Sequence, residues 1–106
     1  MAKTGLEELG RWATPAMMIL TSLAEGPKHG YAIAQDVEEF AGVTLGPGTL
    51  YGALSRLEAA ALIEAKTSDD RRQPYRITAA GRKAVGQQLR TMRTVAEAGL
   101  GRLGWA

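Results

Sequence analysis

A chain of 106 residues, 45% of them hydrophobic and with a formal net charge of +2, suits one domain with a modest core. It has no cysteine and one histidine, which excludes a disulfide framework, thiolate chemistry and most metal sites, so no metal and no cofactor are expected. Its longest apolar run, residues 16–20, falls far short of the roughly 20 residues that span a bilayer. With acidic Glu7 and Glu8 in place of a signal-peptide core, a cytoplasmic protein without a membrane partner is expected.

Residues 1–12 offer only Leu6, Leu9 and Trp12 as structural signals, a short helical lead-in. Thr14-Pro15 is a helix start, Thr as N-cap and Pro in the first turn, and the helix should run to about Ala24 before Gly26-Pro27. Ala16, Ile19, Leu20 and Leu23 make its apolar face, extended by Trp12, while Met17 and Met18 project away from it. A helix apolar nearly all round is covered on two sides, which in so small a domain suggests a partner subunit. The next helix opens at His29-Gly30-Tyr31 and runs to about Phe40, with Ile33, Val37 and Phe40 inward and Gly42 closing it. Val43-Thr44-Leu45 is β-prone and suggests a minimal strand before the turn at Gly46-Pro47-Gly48.

The stretch 46–63 is the most informative. Leu50, Leu54 and Leu57 recur at helical spacing and fall on one buried face. At about 100° per residue, the opposite face carries Thr49, Gly52, Ser55, Arg56 and Ala59, where a solvated helix would carry Glu and Lys. Small residues allow close approach, and Thr, Ser and Arg donate to phosphates or base edges, so the face suits a major groove. A plain core helix with a poor surface is the competing reading.

Ile63 to Lys66 alternates like a half-buried strand, 67–73 is a polar turn, and 74–77 is a second strand. The resulting hairpin has a basic tip, from which Arg71, Arg72 and Lys66 would reach phosphates or a minor groove; a solvated loop with incidental arginines is the alternative. Thr78 caps a long helix from about Ala79 to Ala98, with Gly81 allowing close packing on the hairpin. Val85, Leu89, Met92, Ala96 and Leu103 follow the 4-3 spacing of a helix that pairs with another. The Gly-rich tail breaks helical regularity yet keeps Leu100, Leu103 and Trp105, which a partner subunit would cover.

Charge follows the same division. Residues 1–65 hold four Lys/Arg against eight Asp/Glu, whereas residues 66–93 hold eight against two. A basic segment beside a small-faced helix is the electrostatic footprint of a nucleic-acid binder. Catalysis finds no support: no second His, acid or nucleophile is arranged around His29, and no Gly-Lys-Ser/Thr follows Gly46-Pro-Gly48. Asp69-Asp70 lacks further carboxylates for a cation. An enzyme is not expected.

Leu23-Ala-Glu-Gly-Pro-Lys-His-Gly-Tyr31, Gly48-Thr-Leu-Tyr51, Leu54-Ser-Arg-Leu-Glu58, Leu62-Ile63 and Tyr75-Arg-Ile-Thr-Ala-Ala-Gly81 together resemble the PadR-like family of bacterial winged-helix transcription regulators. The resemblance covers about residues 15–83. It implies a mainly α (α+β) fold: a winged helix-turn-helix with a two-stranded wing over residues 1–78, and a C-terminal dimerisation helix and tail over 79–106. It also implies a homodimer on palindromic operator DNA, usually a repressor, with some members released by aromatic ligands. By position, Gly48 to Tyr51 would begin the recognition helix, and Arg71 and Arg72 would lie in the wing. Tyr51 sits between core and outer face, where phosphate contact and wing packing both stay open.

Two departures stand out. Ala61 occupies a position where the family commonly has Gly; a left-handed backbone there costs Ala roughly 1 kcal/mol, and otherwise the helix runs one residue further. The single C-terminal helix resembles the short subgroup, which leaves a dimer-interface pocket as the ligand site. The expected DNA-contacting set is Thr49, Tyr51, Gly52, Ser55, Arg56, Lys66, Arg71 and Arg72. The expected dimer interface, or pocket for a small aromatic or hydrophobic effector, is Trp12, Met17, Met18, Val85, Leu89, Met92, Leu100, Leu103 and Trp105. Ligand sensing as the main activity, and a winged helix used only for protein contacts, are the competing functions.

Overall fold

The computed structural model describes residues 14–66 and 74–105. Helix α1 (Pro15–Leu23) starts where Thr14 leaves the helical region and its hydroxyl accepts the Met17 N–H at 3.2 Å. Its apolarity on more than one side is explained inside the chain, because α1 is the central helix. It packs against α2 (Gly30–Ala41), α3 (Pro47–Ala59), α4 (Ala79–Leu103) and strand β2 (Tyr75–Ile77). Met18, expected to face a partner, is therefore core at 6% exposure, and Met17 is half-buried against the same cluster. A helix in the middle of a small bundle needs cover all round, and that cover comes from its own neighbours.

α2 follows from His29, which stands at the N-cap without making a side-chain cap; its Nδ1 is buried with no partner among the described residues. Ile33 and Val37 are fully buried, but Phe40, expected inward, is 48% exposed. It shares their face yet lies one turn further on, past the edge of the core. Gly42, at φ 69°, ends the helix in the left-handed conformation. Residues 43–45 form no strand; the expected β run is an irregular connector that buries Leu45.

α3 buries Leu50, Ala53, Leu54 and Leu57 against α1. Its end is a Schellman motif: the Leu62 N–H donates to Leu57 O at 3.0 Å and the Ala61 N–H to Glu58 O at 3.0 Å. The motif needs a left-handed residue, and Ala61 supplies it at φ 61°. Ala61 is thus the strained cap and not an extra helical residue.

Strand β1 (Ile63–Ala65) pairs antiparallel with β2 in the register Ile63↔Ile77, Glu64↔Arg76, Ala65↔Tyr75, which buries both isoleucines. Tyr75 also exchanges backbone hydrogen bonds with Lys28, at 3.0 and 2.9 Å, so the segment before α2 edges the hairpin. The Lys28 side chain bonds back to the Ser22 carbonyl at the end of α1 and pairs with Glu25 at 2.7 Å. A lysine at a helix C-terminus complements the dipole there.

Thr78 then joins hairpin to α4. Its hydroxyl donates to Ala61 O at 2.8 Å and accepts from Gly81 N at 3.0 Å, while its N–H donates to Leu62 O at 3.0 Å. Gly81 is buried against the Leu62 carbonyl, as close packing on the hairpin requires. Val85, expected at an interface between subunits, is 4% exposed in the core of its own chain, because the first turns of α4 lie on α1 and β2. The helix does not stop near Ala98. It continues through Gly99 and Gly101 to Leu103 and ends in a second Schellman motif at Gly104, φ 75°, with the Trp105 N–H on Leu100 O at 2.8 Å. No helix among the described residues is long and apolar enough to cross a membrane.

Candidate nucleic-acid interface

Burying Leu50, Ala53, Leu54 and Leu57 fixes the roll of α3, so the other side of the helix faces outward. Thr49, Ser55 and Arg56 are exposed there, and Gly52 is half-buried. The Arg56 guanidinium lies across Gly52: a Cβ at that glycine would meet Nη1 at 3.6 Å. The lone cation of α3 therefore sits over a bare patch of backbone, with no acidic side chain bonded to it among the described residues.

Tyr51 is half-exposed on the flank of the same helix. Its phenol rests on Gly30, the buried first residue of α2, and reaches towards Tyr75 of the hairpin. Burial, then the Glu58 carboxylate and Tyr51, raise the Tyr75 phenol above its ordinary value of 10.0. Three elements meet at this junction: the start of α2, the first turns of α3 and the wing strand β2. Tyr51 therefore packs on the start of α2, and its phenol bears on the wing through its charge interaction with Tyr75.

Lys66 follows β1, is exposed, and its N–H donates to Pro74 O at 2.8 Å. Arg71 and Arg72 lie outside the described residues. Arg76, counted with the basic segment, is neutralised across the hairpin by Glu64, Nε to Oε1 at 2.6 Å. The pairing register puts these two residues directly opposite.

A second surface begins where α4 leaves the core. Leu89 is 38% exposed, Met92 half-buried, and Leu100, Leu103 and Trp105 more exposed still. Leu89, Met92, Leu100 and Leu103 continue the line of Gly81 and Val85 out of the protomer, and Trp105 is held beyond its end by the terminal cap. Val95, exposed off this line, breaks the 4-3 spacing and so gives no periodic signal. Trp12 lies outside the described residues. The edge pairing of Lys28 with Tyr75 also had no signal, since a single residue cannot show alternation.

The chain matches the Transcriptional regulator PadR-like family over residues 19–87. The transcriptional regulator Rv3488 of Mycobacterium tuberculosis is 37% identical over 92 residues, which cover 84% of this chain and 85% of that protein. An uncharacterised 37.1 kDa protein in transposon TN4556 of Streptomyces fradiae is 45% identical over 76 residues; the match covers 72% of this chain but only 22% of that protein. Among solved structures, a PadR family transcription regulator from Clostridium difficile superimposes with a TM-score of 0.74 at 26% identity, covering 84% of this chain and 96% of the other. The matched span runs from α1 through the wing into the first turns of α4, the same elements that build the exposed face of α3. The chain belongs to the PadR-like family of transcriptional regulators and is a winged-helix regulator rather than an enzyme.

Proposed function

We propose that the protein is a sequence-specific DNA-binding repressor that acts as a homodimer on a palindromic operator. The observation that carries this reading is the outer face of α3, small, nearly uncharged and oriented away from the core beside a hairpin with a basic tip. Thr49, Tyr51, Gly52, Ser55 and Arg56 enter a major groove, and Arg56, the one cation of α3, discriminates between bases. Lys66, Arg71 and Arg72 hold the phosphate backbone. Residues 1–78 bind DNA, while residues 79–106 join two copies through Leu89, Met92, Leu100, Leu103 and Trp105.

Fluorescence anisotropy with the inverted repeat upstream of the gene tests the reading. Arg71→Ala with Arg72→Ala weakens binding to all sequences and lowers the salt slope by about 2, one for each lost phosphate contact. Arg56→Ala instead changes which base pair is preferred, by about 1–3 kcal/mol at one position. No binding at low salt, together with no effect of the double wing variant, would discard it.

A further inference from the structure

Gly30 lies at a helical position where no left-handed backbone calls for glycine; the described glycines with positive φ are Gly26, Gly42 and Gly104. Alanine would suit the first turn of a helix better. The reason for glycine lies across the junction. A Cβ built on Gly30 would come within 2.7 Å of Tyr51 Oη, 3.0 Å of Cζ and 3.1 Å of Cε1. These are the outer atoms of one side chain, with no backbone among them, so a methyl group there would displace the phenol and leave the chain path in place. Tyr51 is half-exposed, on the recognition helix, and has Tyr75 of the wing strand as a neighbour.

We propose that Gly30 is a positioning residue for DNA binding. Its bare α-carbon seats the Tyr51 ring so that the phenol O–H is held beside the start of α2, on the flank of the recognition helix, where it donates a hydrogen bond to a backbone phosphate. The proposal rests on the DNA-binding reading above and assigns to one pair of residues a task that neither performs alone. Because the contact is to phosphate, it strengthens binding to every sequence. Because phenol is neutral, it leaves the salt slope unchanged, unlike the wing arginines.

The test is a double-variant cycle on the full chain with Gly30→Ala, Tyr51→Ala and their combination, alongside Tyr51→Phe. Operator and unrelated duplex are titrated by anisotropy at several salt concentrations, and each variant is melted. Tyr51→Phe is expected to bind both duplexes about tenfold more weakly, the loss of one hydrogen bond to a charged acceptor, with an unaltered salt slope. Gly30→Ala is expected to match that loss in the presence of Tyr51 and to have no further effect in the Tyr51→Ala background. The melts report on the seat without DNA: Gly30→Ala lowers the melting temperature beside Tyr51 and not beside Ala. Should Gly30→Ala fail to fold, a folded double variant still supports the seat, and failure of both overturns it. Equal weakening by Gly30→Ala in both backgrounds, or wild-type binding by Tyr51→Phe, also overturns the proposal. Absence of any DNA binding by the wild type discards the DNA reading itself, whatever the melts show.

Discussion

The two halves of α4 share one helix and one apolar line but meet different fates. From Gly81 to Val85 the line is buried on α1 and the hairpin, and a single added carbon at Gly81 would strike the Leu62 carbonyl. From Leu89 onward the same line faces outward, with Leu100 and Leu103 at 42% and 62% exposure. Periodicity alone reports that a helix has an apolar side; it does not report whose surface covers that side. The inner half is bound by contacts within the protomer. The outer half has apolar area to bury and nothing in its own described chain to bury it against.

Gly81→Ala attacks the inner half where it has least room. Overpacking against backbone should cost about 3 kcal/mol or more, since the carbonyl cannot rotate aside as a side chain would. Thermal melts should show the whole body destabilised, with a midpoint roughly 10 °C or more below wild type. A midpoint within a degree or two would mean that the joint between α4 and the hairpin is looser than drawn.

Leu89→Asp combined with Leu103→Asp attacks the outer half. The fold should survive, with unchanged helical content, while sedimentation reports a single chain in place of the proposed dimer. Loss of the second half-site should then weaken operator binding by about a hundredfold or more. If the doubly charged variant still sediments as a dimer, association lies elsewhere.

A smaller change sharpens the contrast between the two Schellman ends, one built on Ala61 and one on Gly104. Ala61→Gly removes a left-handed strain and should stabilise the body by about 1 kcal/mol, seen as a higher urea midpoint at constant slope. The smallest expected effect concerns Tyr75. Its phenol is raised above 10.0 in the fold, so the neutral form is favoured there. The associated stability is full below pH 10.0 and is lost as pH climbs through the raised value, because the unfolded chain releases its proton first. Tyr75→Phe should flatten this alkaline loss in melts taken above pH 10.0.

Much of the body was readable from residue order. Leu50, Leu54 and Leu57 fixed the roll of α3, the alternation from Ile63 to Lys66 marked the first strand of the hairpin as half-buried, and Thr14 and Thr78 announced two helix starts. What escaped depends on tertiary surroundings. Met18 points away from the main apolar stripe of α1 yet is core, because α1 has neighbours on several sides. Phe40 lies within about 20° of Ile33 in helical phase but outruns the core. Gly99 and Gly101 suggested a frayed tail, although each costs a helix only about 1 kcal/mol relative to Ala, and the helix continues to Leu103. In the candidate site, the exposed residues of α3 were named from spacing alone. The Gly30–Tyr51 contact was not, since it joins two helices whose relation no local pattern encodes. Nor was the neutralisation of Arg76, which needed the strand register.

The unbroken run of α4 from the core to Leu103 makes it a stiff lever. Between Val85 and Leu103 it extends for about 27 Å at 1.5 Å per residue. In the proposed dimer its length sets how far apart the two recognition helices stand, and its pitch sets their angle around the duplex. One residue inserted just before Leu89 would swing the outer apolar line by about 100° relative to the DNA-reading body, and seven would return it to within about 20° while lengthening the lever by about 10 Å. If the proposed dimer holds, the half-site spacing of its operator is written in the residue count of a helix that need not touch DNA.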